Sequence, residues 1–176
     1  IGSKAKKYAV KPDKIVAYNT LPQNRDIKVK EELIVPDAKI KGSTGIFATR
    51  NSAFSHLPNL GDYFLIPATG YNWGRIHGRN GVDVTNSCGT SIFAAASGTV
   101  AISDAVGWNG GFGKFIKLIH PNGTETLYAH TSKLLVAGGE TVSKGQLIAL
   151  MGSTGRSTGC HLHFEVHGAR NPLVKY

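Results

Sequence analysis

Cys160-His-Leu-His-Phe-Glu-Val-His167 alternates polar and apolar residues without a break. Side chains on a strand point to opposite faces in turn, so His161, His163, Glu165 and His167 share one face while Leu162, Phe164 and Val166 share the other. One face suits a core; the other carries imidazoles and a carboxylate. At a rise of ~3.3 Å per residue, His161 and His163 stand about 7 Å apart at Cα, a spacing that suits one direct metal ligand beside one acid–base or ligand-orienting group. Taken alone, such a pair is also what an ordinary exposed strand face carries.

Outward from this strand, short apolar runs alternate with glycine-bearing turns at 91–102, 114–120, 124–130 and 146–151. Pro121-Asn-Gly123 reads as a hairpin turn, so Phe115 to Ile119 should pair antiparallel with Glu125 to Ala129. The chain holds 22 glycines in 176 residues, nearly twice the usual share of ~7%, which points to many tight turns between short strands. The region 70–170 is therefore expected to be a compact antiparallel sheet system, mainly β. The longest apolar runs, such as Leu147 to Met151, fall far short of the ~20 residues that span a bilayer, so a soluble protein without membrane insertion is expected. A length of 176 residues and 18.7 kDa suits one medium domain, or a small module plus a larger one, and excludes a large multidomain enzyme.

The formal net charge is +9, and the isoelectric point of about 9.7 favours anionic polymers: nucleic acid, anionic membrane or acidic cell wall. Much of the excess is a diffuse coat of lysines in the first fifty residues, without the Arg–aromatic stripe of nucleic-acid binders, so no nucleic-acid partner is expected. Cys88 and Cys160 are too few for a disulfide scaffold but enough for one bridge in an oxidising compartment. The chain opens on Ile1 and not on Met, which reads as a piece of a longer precursor. Residues 1–40 read differently from the rest: Pro12-Asp13 is a helix-start signal, and Leu33-Ile-Val-Pro36 closes a β-prone run. Lys6-Lys-Tyr-Ala-Val10, Asp13-Lys-Ile-Val-Ala-Tyr-Asn19 and Leu33-Ile-Val-Pro36 resemble the later part of a LysM module, a small α/β peptidoglycan-binding unit, with its first strand missing. Residues 41–60 read as a linker and 61–176 as the second unit.

Two further segments carry metal-ligand residue types. His77 and Asp83 lie in Trp73-Gly-Arg-Ile-His-Gly-Arg-Asn-Gly-Val-Asp-Val84, and His130 ends Leu127-Tyr-Ala-His130. Three separate segments that each deliver His or Asp supply what a mononuclear zinc site needs: two imidazoles, one carboxylate and an open position. With these in hand, residues 71–171 resemble the lysostaphin-like, or LytM-type, zinc metallo-endopeptidases of peptidoglycan. The carriers are Asn80-Gly-Val-Asp-Val84, Gly89-Thr-Ser-Ile-Phe-Ala-Ala-Ala-Ser-Gly-Thr-Val100, Tyr128-Ala-His130, the stretch 139–152 and Ser157-Thr-Gly-Cys-His-Leu-His-Phe-Glu-Val166, in the family's order.

The resemblance implies a β-barrel-sandwich hybrid (duplicated hybrid motif), Zn2+ as cofactor, peptidoglycan as partner, and an extracellular or cell-envelope location. It also implies that Asp83 and His163 bind zinc, while His130 and His161 flank the metal and the scissile carbonyl as catalytic groups. Which of the two is the base stays open. The family writes its first ligand four residues before the Asp, where this chain has Arg79, whose guanidinium stays protonated and cannot ligate. A two-residue insertion, with Gly78 and Gly81 taking unusual backbone angles, would return His77 to the metal; the competing reading is a degenerate, inactive cell-wall binding or regulator domain. Glu165 is expected to play a structural role and to point away from the site. His56, His120 and His167 are expected to be exposed or turn residues. Tyr71 and Trp73 could either line a peptide groove or pack, and 107–113 reads as a loop bordering the cleft. If Asp83 and His163 meet at one ion, Cys88 and Cys160 are brought near each other, and a disulfide at the floor of the site becomes possible.

Overall fold

The computed structural model describes residues 52–174; the LysM-like reading of 1–40 and the first part of the expected linker lie outside the described residues. Strand β10 (His161–His167) is buried on both faces: Leu162, Phe164 and Val166 are fully buried on one, and His163 and Glu165 are buried on the other. It pairs on one side with β2 (Gly81–Thr85) and on the other with β6 (Glu125–Ala129), both antiparallel. The turn at 121–123 closes as expected, with Gly123 at φ +80° and its N–H donating to His120 O. It sets β5 (Phe115–Ile119) against β6 with Ile116 opposite Tyr128 and Ile119 opposite Glu125. Strands β1 (Tyr71–Asn72), β4 (Gly98–Asp104) and β8 (Thr141–Val142) complete a seven-stranded sheet in the order β1-β2-β10-β6-β5-β4-β8.

A second sheet has the order β3-β9-β7, from β3 (Ser91–Phe93), β7 (Thr131–Leu134) and β9 (Leu147–Met151). The fold of the described residues is thus mainly β and antiparallel. The apolar run 91–102, legible as one unit, divides: β3 joins the small sheet and β4 the large one, with buried Ala94, Ala95 and Ala96 at the crossing. Small side chains there let Tyr128 reach across, so that its hydroxyl accepts the Ala95 N–H at 2.8 Å. The main core lies between the sheets and includes Val84, Ile92, Ile116, Leu118, Tyr128, Ile148, Leu162 and Phe164.

Residues 52–60, within the stretch read as linker, begin with a 3-10 turn at Ser52–Phe54, and Phe54 packs against Ile76, Val82 and Val174. Arg170 donates to the carbonyls of Leu57 and Ser55. Among the described residues no helix is long and apolar enough to cross a membrane.

Candidate active site

Register places the site. In an antiparallel pair, residues directly opposite share a face. Asp83 of β2 lies opposite His163 of β10, which lies opposite Ala129 of β6. Next along, Glu165 of β10 lies opposite Gly81 of β2 on one side and Leu127 of β6 on the other. The small residues Gly81 and Ala129 leave room for the imidazole between them: a Cβ added at Gly81 would stand 2.5 Å from His163 Cε1 and 2.9 Å from its Nε2.

His77 reaches this face through a short loop closed by two backbone hydrogen bonds, His77 N–H to Gly81 O and Gly81 N–H to His77 O, each 2.9 Å. Within it Gly78 takes φ +57° and Asn80 φ +61°. The sequence points to Gly78 and Gly81 for the unusual angles; the left-handed residue beside Gly78 is instead Asn80, and asparagine visits this region readily. Buried Asn80 also pins the loop, its Nδ2 donating to Val166 O at 2.7 Å and Ala169 O at 2.8 Å. Arg79 is carried on the exposed turn, and His77 Nε2 lies 2.9 Å from Asp83 Oδ1.

His163 Nδ1 donates to the same Asp83 oxygen at 3.0 Å, and its Nε2 donates to Glu165 Oε1 at 3.1 Å. Burial alone would lower the His163 pKa, but hydrogen bonds to Asp83 and Glu165 outweigh it and raise it to about 9. For Asp83, burial would raise the carboxyl, yet hydrogen bonds from His163 and His77 hold it far below the usual carboxylate range. Glu165 balances the same way, burial against hydrogen bonds from His163 and His167, and sits at about 2. One ligand atom each from His77, Asp83 and His163 lies within 4.8 Å of the others. Two imidazoles and one carboxylate with an open side fit a catalytic zinc set, where a structural site would be closed by four protein ligands.

His130 follows β6 directly and takes φ +62°, rare for a residue with a Cβ, where the chain leaves the large sheet for β7. Its N–H donates to Phe112 O, and its Nδ1 donates to Thr154 O at 2.8 Å, which leaves Nε2 as the lone-pair nitrogen. Burial pushes its pKa down against the opposing hydrogen bond to Thr154 O, with smaller lowering contributions from His161 and His163. The His130 and His161 rings lie 4.6 Å apart. His161 Nδ1 donates to Gly159 O at 2.9 Å, and its Nε2 stands 3.9 Å from Asp83 Oδ1. A cavity of about 400 Å³ opens over His77, His130 and His163 and is bordered by Phe112 of the 107–113 loop. A second, of about 350 Å³, lies between exposed Trp73 and the His77–Asp83 pair.

The profile of Peptidase family M23 matches residues 77–174, more than half of the chain. The chain belongs to peptidase family M23. The match opens on His77, so the whole His77, Asp83, His130, His161 and His163 constellation falls inside the M23 region. Over 105 residues, 57% of this chain and 22% of its relative, the sequence is 48% identical to an uncharacterized metalloprotease of Haemophilus influenzae. Over 100 residues it is 37% identical to a peptidoglycan DD-endopeptidase of Vibrio cholerae, covering 57% of this chain and 23% of that protein. The chain thus spans less than a quarter of the length of these two relatives. Among solved structures it is similar to the antimicrobial peptidase lysostaphin from Staphylococcus simulans, with 31% identity, a TM-score of 0.52 and coverage of 63% of this chain and 49% of that one.

Three sequence readings change against this M23 site. Glu165 does not point away: it is buried and bridges His163 to His167, whose Nε2 donates to Glu165 Oε2 at 2.8 Å. His120 is not an exposed turn residue; it is buried, bonded to Ser97 O and Thr126 Oγ1 at 2.9 Å each, with its ring edge-on to Tyr63 and Phe64. His167 is half-buried between Glu165 and Glu125. Cys88 and Cys160 form a disulfide that ties the segment after β2 to the start of β10. Thr154, unmarked in the sequence reading, supplies the carbonyl that orients His130; no local sequence signal distinguishes a residue that acts through its backbone.

Proposed function

We propose that this M23 domain is a zinc-dependent endopeptidase of the cell envelope that hydrolyses peptide bonds in bacterial peptidoglycan stems or cross-bridges. The observation that carries this reading is the ligand cluster of His77, Asp83 and His163 beside the closely packed His130–His161 pair. The substrate class draws support from the peptidoglycan DD-endopeptidase relative, and the basic, LysM-like stretch 1–40 suits wall attachment.

Zinc held by His77, Asp83 and His163 would supply Lewis-acid polarisation of the scissile carbonyl and acidify water. The remaining chemistry is proton handling. Neutral His130, with Nδ1 donating to Thr154 O and Nε2 free to accept, takes the proton of the attacking water and delivers it to the leaving amine. His161, oriented by Gly159 O, directs Nε2 to the same space; protonated, it donates to the developing oxyanion. The inactive-regulator reading rests on Arg79 at the usual ligand place; the 2.9 Å approach of His77 Nε2 to Asp83 Oδ1 supports His77 as the ligand in its stead.

Metal analysis of the purified protein, combined with digestion of sacculi of known cross-link type with and without a chelator, tests the proposal. One zinc per chain, lost in His77→Ala, and chelator-sensitive release of peptide fragments are expected. His130→Ala and His161→Ala should retain zinc and slow cleavage by about 10²–10⁴-fold. A wild-type protein that binds zinc and leaves every cross-link type intact would overturn the reading.

A further inference from the structure

Arg79, at the position where the family's first ligand is usually written, lines the cavity of about 400 Å³ together with Arg156 from the loop after β9. Both side chains are exposed, and neither guanidinium has a hydrogen-bond or ion-pair partner among the described residues. Their backbones are nevertheless held. Arg156 N–H donates to Gly111 O at 2.7 Å, and its Cβ lies so close to Gly111 that an added Cβ there would be 3.3 Å away. Arg79 sits in the turn pinned by Asn80.

Glu165, the acidic residue that lines the same cavity, is already engaged, accepting from His163 and His167, and Asp83 on the neighbouring strand accepts from His77 and His163. The cleft therefore presents two uncommitted planar cations beside the candidate ligands. A guanidinium matches a carboxylate in a bidentate fork, and a neutral glycine bridge would make no use of either group.

We propose that Arg79 and Arg156 form a carboxylate-binding pair that selects peptides with a free carboxylate next to the scissile bond over neutral bridges. The proposal rests on the peptidase reading above and names the substrate feature which that site would select. Two carboxylates of a peptide stem offer the same chemistry, that of a diamino-acid side chain and that of the chain terminus.

The test uses the zinc-loaded full chain and fluorescently labelled stem peptides in which the scissile bond is a non-cleavable reduced amide. One peptide keeps both carboxylates, a second has the side-chain carboxyl as carboxamide, and a third has the terminal carboxyl as carboxamide. One of the two carboxamides should bind about tenfold more weakly, the scale of a charged hydrogen bond at an exposed site, and which one identifies the source. In Arg79→Gln and Arg156→Gln that ratio should collapse toward one, and in Arg156→Lys it should fall part-way, with zinc content and circular dichroism unchanged. Equal or undetectable binding of all three peptides, or an unchanged ratio in the double glutamine variant, would overturn the pair. Cleavage of the matching amide peptides is read separately. Discrimination without cleavage sinks the peptidase reading and leaves the pair standing; cleavage without discrimination does the reverse.

Discussion

Glu165 Oε1 lies 3.1 Å from Nε2 of His163, on the nitrogen opposite the one that meets Asp83. A metal-binding imidazole needs one nitrogen bare and the other protonated, and a carboxylate acceptor on the far side favours that tautomer. Glu165 is itself held by His167, which also meets Glu125, and Glu125 pairs with Lys117 at 2.6 Å. The orienting carboxylate is thus one link in a chain of alternating charge across β10, β6 and β5.

Glu165→Gln should keep the fold and weaken zinc affinity by about 10–100-fold, the usual scale for losing a group that orients a ligand. Competition titration against a chromophoric chelator reads this directly. An unchanged affinity would show that the hydrogen bond to His163 is ornamental.

Gly81→Ala places a methyl carbon 2.5 Å from His163 Cε1 and 3.1 Å from His77 O. Neither neighbour can yield without moving a candidate ligand, so zinc stoichiometry should fall well below one per chain. Gly138→Ala, with nothing within 4 Å and no left-handed φ, should stay within about 0.5 kcal/mol of wild type in denaturant unfolding.

Tyr128→Phe removes the oxygen that accepts from Ala95 N–H and Thr126 Oγ1 at 2.8 and 3.0 Å. The Tyr128 side chain is fully buried, its phenol pushed up to about 12 by burial, and the variant leaves a buried amide without its partner. A loss of about 1–3 kcal/mol is expected from urea unfolding, without change in zinc content.

Cys88→Ser with Cys160→Ser opens a bridge between residues 72 apart. Loop-closure arguments put its stabilisation at about 2–4 kcal/mol. Chemical denaturation of the oxidised protein and the double variant should differ by that amount.

Burial holds His120 below its ordinary 6.5, only partly offset by the hydrogen bond to Ser97 O. A lowered pKa in the folded state means the unfolded chain binds the extra proton first as the pH falls. The associated stability is present above pH 6.5 and is lost as pH drops toward the folded value, with a slope of at most ~1.4 kcal/mol per pH unit. Between pH 7 and 5.5 the stability of wild type should therefore decline more steeply than that of His120→Gln. Parallel curves for the two proteins would contradict this.

Local pattern made much of the molecule legible. Alternation in 161–167 marked β10 and its two faces, and the turn at 121–123 set the ends of β5 and β6, because side-chain period and turn chemistry depend on neighbours a few residues apart. His77, Asp83, His130, His161 and His163 came together as candidates through the resemblance to lysostaphin-like peptidases, whose motifs stand in the same chain order. What only the tertiary structure decided depends on contacts between distant residues. These are the β2–β10 register that sets Asp83 against His163, the Val166 and Ala169 carbonyls that pin Asn80 in a left-handed turn, and the Thr154 carbonyl that aims His130. They also include the shell that buries His120, the inward turn of Glu165 and the shared cavity of Arg79 and Arg156. Register and burial are properties of pairs far apart in sequence, so no window of neighbouring residues contains them.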